Sequence, residues 1–355
     1  MALSNDIGVE VSELSDTLLR WYDRDHRQLP WRMESGGQDS AYKVWLSEIM
    51  LQQTTVETVK PYFIEFLRRW PLISDLANAS LDDVLHAWQG LGYYARARNM
   101  LKCARTLWER YKGIFPCNEE ELLKLPGIGP YTAAAIVAIA FNRPATVVDG
   151  NVERVISRLR MIETPLPSAK KEIYKFAKII TPIGRSGDYA QAIMDLGATI
   201  CKPRKPLCHI CPWQPACISY RSGQPEDYPK KPARLIRGSR YGVAFWLVRR
   251  DGFILLRRRP NKGLLGGLME VPTTEWLDTP WKNRAIFNSV PVGERWYRLP
   301  TAIKHDFTHF QLELIIMCGT VDGRRAVDGV WCDINNLRNY AISALSKKIV
   351  GEVCR

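Results

Sequence analysis

The sequence predicts an all-α domain followed by a smaller α+β domain. Three observations lead there. Apolar residues recur at helical spacing through residues 1–220. A stretch rich in Pro, Lys and Arg breaks that pattern at 221–240. Beyond it, in 241–355, short apolar runs flank a hairpin signal at Asp251-Gly252. A chain of 355 residues is long enough for two domains at about 150 residues each.

The first helix is placed over Ser12–Asp25, where Leu14, Leu18, Leu19 and Tyr22 share one face. Similar patterns cover Val44–Thr55, Val59–Trp70, Leu81–Gln89, Ala95–Tyr111, Tyr131–Phe141, Val152–Met161, Lys170–Ile180 and Tyr189–Ile200. Pro and Gly punctuate them at Trp70-Pro71, Gly90-Leu91-Gly92 and Pro126–Gly129, and no period-2 strand intervenes. The linker carries Pro225, Pro229 and Pro232. After it, Gly242–Arg249, Phe253–Arg258, Gln311–Cys318 and Gly329–Cys332 read as strands, and Ala341–Val350 as a closing helix.

Apolar residues make up 46% and charged residues 25%, which is the balance of a soluble globular protein. No apolar run reaches the roughly 18 residues needed to span a bilayer, and Met1–Ser15 lacks the basic and apolar regions of a secretory signal. An intracellular location is therefore expected, cytoplasm or nucleoid in a bacterium. Fifty Lys and Arg against 37 Asp and Glu give a net charge of +13, which favours a polyanionic partner.

Four of the nine cysteines crowd into one stretch: Cys201, Cys208, Cys211 and Cys217, spaced C-x6-C-x2-C-x5-C. Four thiolates so close in sequence can surround one metal centre, and a reducing compartment suits that use better than disulfides. Spacing alone leaves zinc and iron–sulfur both open. Lys202, Arg204 and Lys205 lie between the first two cysteines.

In Leu125-Pro126-Gly127-Ile128-Gly129-Pro130-Tyr131-Thr132-Ala133, two glycines precede an Ala-rich helix and Pro130 suits its first position. The amides of such a helix start can bind a phosphate, although a plain turn before a helix has the same look. Two carboxylates are candidates for chemistry. Glu48 shares a helix face with Val44, Trp45, Leu51 and Gln52, and a carboxyl desolvated there holds its proton to higher pH; the plain alternative is an exposed helical Glu. Asp149, in Val147-Val148-Asp149-Gly150-Asn151-Val152, is either a helix N-cap, an anion beside a reaction, or both. An acid and an ionised carboxylate together are what cleavage of a glycosidic bond requires.

These segments jointly resemble a known family. W-L-S-E-I-M-L-Q-Q-T, G-L-G-Y-Y-A-R-A-R-N, V-D-G-N-V and M-D-L-G-A, with the L-P-G-x-G-x-x-T-A hairpin and the cysteine spacing, are similar to the adenine DNA glycosylase (MutY) family of the helix-hairpin-helix superfamily that includes endonuclease III. The resemblance covers nearly all of residues 14–220. It implies an all-α helix-hairpin-helix glycosylase domain with a 4Fe–4S loop at 201–217, ligated by Cys201, Cys208, Cys211 and Cys217. It further implies that Glu48 protonates adenine at N7 and later activates water, and that Asp149 stabilises or traps the sugar cation. Tyr131 and Asn151 assist, Trp31 and Arg32 line the adenine pocket, Gln52 and Tyr93 enter the duplex, and Gly127 and Gly129 hold its backbone. Endonuclease III-like relatives with a strand-cutting lysine carry it where this chain has Tyr131, and a phenol forms no Schiff base, so a monofunctional enzyme is implied. The chain departs from the family at Met33–Ala41, which is longer than usual and lacks a Pro before Tyr42.

Residues 241–350 resemble, more weakly, the Nudix-like domain of the same family, with Gly263–Pro272 matching its Gly-rich turn. The acidic box for pyrophosphate hydrolysis is absent, so no such activity is expected. Phe307-Thr308-His309 resembles the family's F-S-H loop, with Thr in place of Ser, and implies sensing of 8-oxoguanine; His305 and His309 also read as ordinary structural histidines. The expectation is a monomeric base-excision-repair enzyme carrying one 4Fe–4S cluster. It would hydrolyse the N-glycosidic bond of adenine opposite 8-oxoguanine or guanine in double-stranded DNA, with no membrane partner. The rivals are a bifunctional or thymine- or oxidised-pyrimidine-specific relative, and a silent iron–sulfur DNA binder.

Overall fold

The computed structural model describes residues 11–32, 38–232, 238–292, 295–322 and 327–354. They form two compact units: residues 11–78 with 99–232, and residues 79–98 with 238–354. In chain order the helices are α1 (Val11–Asp25), α2 (Gln38–Leu51), α3 (Val56–Arg69), α4 (Ile73–Asn78), α5 (Leu81–Ala87), α6 (Ala95–Tyr111), α7 (Glu119–Leu123), α8 (Pro130–Ala135), α9 (Gly150–Arg160), α10 (Lys170–Ile180), α11 (Ser186–Asp195) and α12 (Ile218–Arg221). Among the described residues of the first unit there is no strand.

Helix starts follow local chemistry. Side-chain oxygens of Thr55, Ser80, Asn118 and Asp149 accept from the amide three residues on and so cap α3, α5, α7 and α9. Leu14 and Leu18 of α1, Val155 and Ile156 of α9, Ile173 and Phe176 of α10, and Ile193 of α11 form a single core. Trp213 joins that core and donates its indole N–H to Leu14 O at 2.8 Å, which fixes the cysteine loop on α1. The continuous α-helices expected at Tyr131–Phe141 and Tyr189–Ile200 instead end in π-helical turns, Ile136–Ala140 and Leu196–Ile200. Such wider turns gather at functional sites, and the second delivers the chain to Cys201.

Two expectations about boundaries change. Ala79–Arg98 groups with the sheet rather than with the rest of 1–220. Its polar groups explain why: Gln89 donates to Tyr340 O at 2.7 Å, His86 bonds Arg338 O at 2.8 Å, Arg258 grips Asp82 at 2.8 and 2.9 Å, and Arg98 donates to Gly266 O. Within the expected 221–240 linker, Tyr228 and Lys230 are tied to the first unit. Tyr228 is buried, its carbonyl accepts from Arg158 Nε at 3.0 Å, and Leu166 N donates to Lys230 O at 3.0 Å.

The second unit is built on a seven-stranded mixed sheet of β1 (Gly238–Arg249), β2 (Phe253–Arg258), β3 (Met269–Glu270), β4 (Arg295–Arg298), β5 (Ile303–Asp306), β6 (Phe310–Val321) and β7 (Val330–Asp333), with α13 (Asn283–Asn288) and α14 (Ala344–Val353). β1 and β6 run parallel along their full lengths, from Gly238 opposite Phe310 to Arg249 opposite Val321, and every other pairing is antiparallel. Both faces are covered: Leu312, Leu314 and Ile316 pack toward Leu345 and Ile349, whereas Met317 packs with Val243, Phe245 and Ile286. Burial on both faces makes the middles of β1 and β6, residues 243–248 and 314–318, continuous in apolar residues rather than alternating. Among the described residues no helix is long and apolar enough to cross a membrane.

Candidate active site

Glu48 sits near the end of α2 and is buried, with 6% of its surface exposed. Burial pushes its carboxyl up to about 7; a hydrogen bond from Tyr131 opposes this, the charge of Asp149 adds to it, and Arg32 opposes it. Tyr131 Oη donates to Glu48 Oε2 at 2.6 Å, with Met194 Sδ a further neighbour at 3.3 Å. The same burial, joined by the Glu48 and Asp149 charges, holds the phenol proton well above its ordinary range, so Tyr131 remains a donor.

Asp149 is the N-cap of α9 and accepts from Val152 N at 2.7 Å and from Asn151 Nδ2 at 2.8 Å. Burial raises this carboxyl from its ordinary value, while the helix-start amides of Val152 and Asn151, the Asn151 side chain and the Arg154 charge all pull it back down toward the ionised form. Glu48 has one hydrogen-bond donor and Asp149 has several, so the pair is unequal: of the two, Glu48 keeps its proton more readily.

Asn151 is itself held. Arg154 Nη2 donates to Asn151 Oδ1 at 2.9 Å and to Gly197 O at 2.7 Å, while its Nε donates to Cys201 O at 2.8 Å. Gly197 lies against Asn151, where an added Cβ would stand 2.7 Å from the Asn151 Cβ. The widened turn after α11 therefore backs directly onto the residue that orients Asp149.

Glu48, Tyr131, Asp149 and Asn151 open onto one cavity of about 890 Å³, together with Trp31, Arg32 and Gln52. Seven of the residues singled out from sequence are thus brought together. Trp31 is buried edge-on to Phe63, with ring centres 5.4 Å apart, and Gln52 Nε2 reaches Thr132 Oγ1 at 3.5 Å. Arg32 does line the cavity, but its guanidinium is engaged by Asp195. Sequence reading passed over Asp195, Arg27 and Arg154, although the first lies in the M-D-L-G-A segment. The unusual Met33–Ala41 insertion falls partly at 33–37, outside the described residues.

The remaining predicted residues occupy two further places. In the first unit, Gly127 has φ +79°, and a Cβ there would meet Asn99 Cβ at 2.8 Å, whereas one at Gly129 would meet nothing within 4 Å. Gly129 is the N-cap of α8 with Pro130 following, and no side chain caps that helix start. Gly127→Ala is expected to cost about 1–2 kcal/mol from the left-handed backbone alone, with more from Asn99. A thermal melt checks it, and an unchanged melting temperature would contradict the assignment.

In the second unit, Phe307-Thr308-His309 forms the turn between β5 and β6, closed by Phe307 N donating to Phe310 O at 2.9 Å. Phe307 packs on Trp276, His305 and Phe310, while Thr308 and His309 are exposed at the tip. Tyr93, in the left-handed region at φ 47°, shares a 2.9 Å hydrogen bond with Thr308 Oγ1, and Arg96 lies over its ring. Tyr93 and Thr308 belong to the same unit, a pairing the sequence did not suggest.

Cys201, Cys208, Cys211 and Cys217 are free thiols lining one small cavity with Val155, Leu159, Leu196, Ile200 and Trp213. Burial, and then the other three cysteines, push Cys211 up to about 12 despite a backbone hydrogen bond from Trp213. Arg158 Nη1 reaches Cys201 Sγ at 3.4 Å and also donates to Lys202 O at 2.7 Å. Among the described residues no three His, Cys, Asp or Glu side chains converge tightly enough to hold a single ion.

A desolvated acid and a helix-capping carboxylate share a cavity in the same unit as a helix-hairpin-helix turn; this fold and site define the class as a DNA glycosylase of base excision repair. Residues 46–182 match the HhH-GPD superfamily of base excision DNA repair proteins, and residues 243–352 match the NUDIX domain. The adenine DNA glycosylase of Rattus norvegicus is 34% identical over 98% of this chain and 79% of its own length, and that of Homo sapiens is 33% identical over 96% and 74%. A solved thermostable thymine-DNA glycosylase superposes with a TM-score of 0.55 and 30% identity, covering 60% of this chain and 97% of that one. The chain belongs to the adenine DNA glycosylase family. It is an enzyme that hydrolyses N-glycosyl bonds and excises adenine in DNA repair.

Proposed function

We propose that the adenine removed is the one mispaired with 8-oxoguanine or guanine in duplex DNA, and that the enzyme is monofunctional. The observation that carries the chemistry is the Tyr131–Glu48 hydrogen bond in the cavity shared with Asp149. Glu48 gives its proton to adenine N7, the C1′–N9 bond breaks with its electrons leaving on the base, and the sugar cation forms beside Asp149. The Glu48 carboxylate then takes a proton from the water that attacks C1′, which restores the acid. Trp31 and Arg32 bound the base, Asn151 steadies Asp149, and Gln52 and Tyr93 enter the duplex to offset the loss of stacking. Gly127 and Gly129 let the backbone of the hairpin approach a phosphate. Tyr131 has no amine to form a Schiff base, and the cavity-lining Lys170 is paired with Glu153 at 3.0 Å.

Four thiols lining one largely apolar cavity beside Arg158 suit a 4Fe–4S cluster, whose separate irons each take one thiolate. Cys201, Cys208, Cys211 and Cys217 would hold it. When bound it would supply a rigid support for the loop that carries Lys202, Arg204 and Lys205 toward phosphates, as well as for the Arg154–Asn151 contacts.

Reading of the opposite base is assigned to Thr308 at the exposed tip of the β5–β6 turn, buttressed by Phe307 and flanked by His309. Thr308→Ala is expected to reduce the preference for 8-oxoguanine over guanine about tenfold, the scale of one lost hydrogen bond to a ligand. Unchanged discrimination would place the reading elsewhere. The whole proposal is tested with a duplex containing one adenine opposite 8-oxoguanine, treated with hot alkali after incubation. Strand breakage only after alkali supports it. Breakage without alkali identifies a lyase, and no breakage in either case identifies a binder.

A further inference from the structure

Two cavity-lining arginines, Arg27 and Arg32, meet behind the wall on one carboxylate from a distant part of the chain, Asp195. Arg32 is bidentate on Asp195, at 2.6 and 2.7 Å, and also donates to Arg27 O at 2.9 Å. Arg27 joins the same carboxylate through its Nε at 2.6 Å and its amide at 3.1 Å. The Asp195 side chain is fully buried, that of Arg32 is 13% exposed and that of Arg27 is 27% exposed. Burial pushes the Asp195 carboxyl up, but the Arg32 hydrogen bonds and the charges of both arginines outweigh it, so it is held below its ordinary range. It is an anion serving two cations, and the triad carries one net positive charge.

We propose that Asp195 is a positioning residue that clamps Arg27 and Arg32 and sets how much positive charge the cavity wall presents to Glu48. The groups facing Glu48 from the packed elements are Tyr131 of α8, Asp149 at the start of α9 and Arg32 after α1, with Arg27, Glu153 and Lys170 further along the lining. Of these, Arg32 is the cation that favours loss of the Glu48 proton. A fixed anion bonded to that guanidinium neutralises much of its field, because two opposite charges in contact act at a distance as a dipole. The clamp also keeps both guanidiniums from turning to pair with the acid itself. Asp195 thereby protects the protonated form of Glu48 without touching the base or the sugar.

The inference rests on Glu48 acting as the acid, and one experiment separates the two. Single-turnover release of adenine from the adenine·8-oxoguanine duplex is measured against pH for the full chain and for two variants that change the triad's charge in opposite directions. Asp195→Asn raises the net charge of the wall, so the alkaline limb of the profile is expected to move down by about one pH unit. Arg27→Gln lowers that charge and leaves the Arg32–Asp195 pair, so the limb moves up. Arg27 is the most exposed member, which keeps the test available if Asp195→Asn fails to fold. Asp195→Glu retains the charge and leaves the limb in place. A limb that stays put in every folded charge-changing variant overturns the inference alone. A wild-type profile with no alkaline limb removes the acid at Glu48, and the inference with it.

Discussion

Replacing Glu48 with Gln is expected to reduce adenine release about a thousandfold or more, the scale of a lost general acid. Gln keeps the shape of the side chain and an oxygen for the Tyr131 hydroxyl, which stands 2.6 Å from Glu48 Oε2. It offers no proton to the leaving purine and no base for the water. DNA affinity should survive, because the groups proposed to hold the backbone lie at the hairpin and the cysteine loop. Single-turnover rates and a binding titration on the same duplex separate the effects. Turnover near the wild-type rate would reject the acid, and loss of binding in parallel would show a site disturbed as a whole.

Asp149→Asn is the second large effect, a fall of about 10²–10³ in the rate of base release. Asn caps a helix as well as Asp does, so α9 should persist. Stability should fall by about 1–3 kcal/mol, because the new amide NH2 faces the Asn151 Nδ2 donor that a carboxylate oxygen now accepts from. The charge is what is removed. A developing sugar cation then faces a neutral amide in a desolvated cavity, where a fixed anion acts far more strongly than in water. A rate unchanged in a folded variant would contradict the assignment. A variant that no longer folds would return Asp149 to the role of a plain cap.

Much of this site was legible in the sequence because its parts are local. Glu48 is recognisable from its apolar neighbours on α2, Asp149 from its place before α9, and Gly127 from a turn that only a left-handed residue completes. The four cysteines lie within 201–217 and announce themselves by spacing. What stayed hidden depends on contacts across long stretches of chain. Asp195 meets Arg27 and Arg32 at separations of 168 and 163 residues, and Tyr93 meets Thr308 across 215. No periodicity reports such pairs. The parallel pairing of β1 with β6 and the transfer of Ala79–Arg98 to the second unit are equally non-local. The balance at Asp149 was missed for a different reason: the sequence shows the amides that favour its charge, and only the fold shows the burial that opposes them.

The central claim is that a proton kept on Glu48 by burial is spent on the departing adenine beside an ionised Asp149. It is tested most directly by the wild-type rate of base release as a function of pH under single-turnover conditions. Glu48 is pushed up to about 7, and the active form is the protonated one. The rate should therefore climb from the acid side as Asp149 loses its proton, level off, and fall about tenfold per pH unit once the pH passes the Glu48 value. A rate that stays level from about pH 6 to about pH 9 would contradict the claim, because no group titrating like Glu48 would then supply the proton.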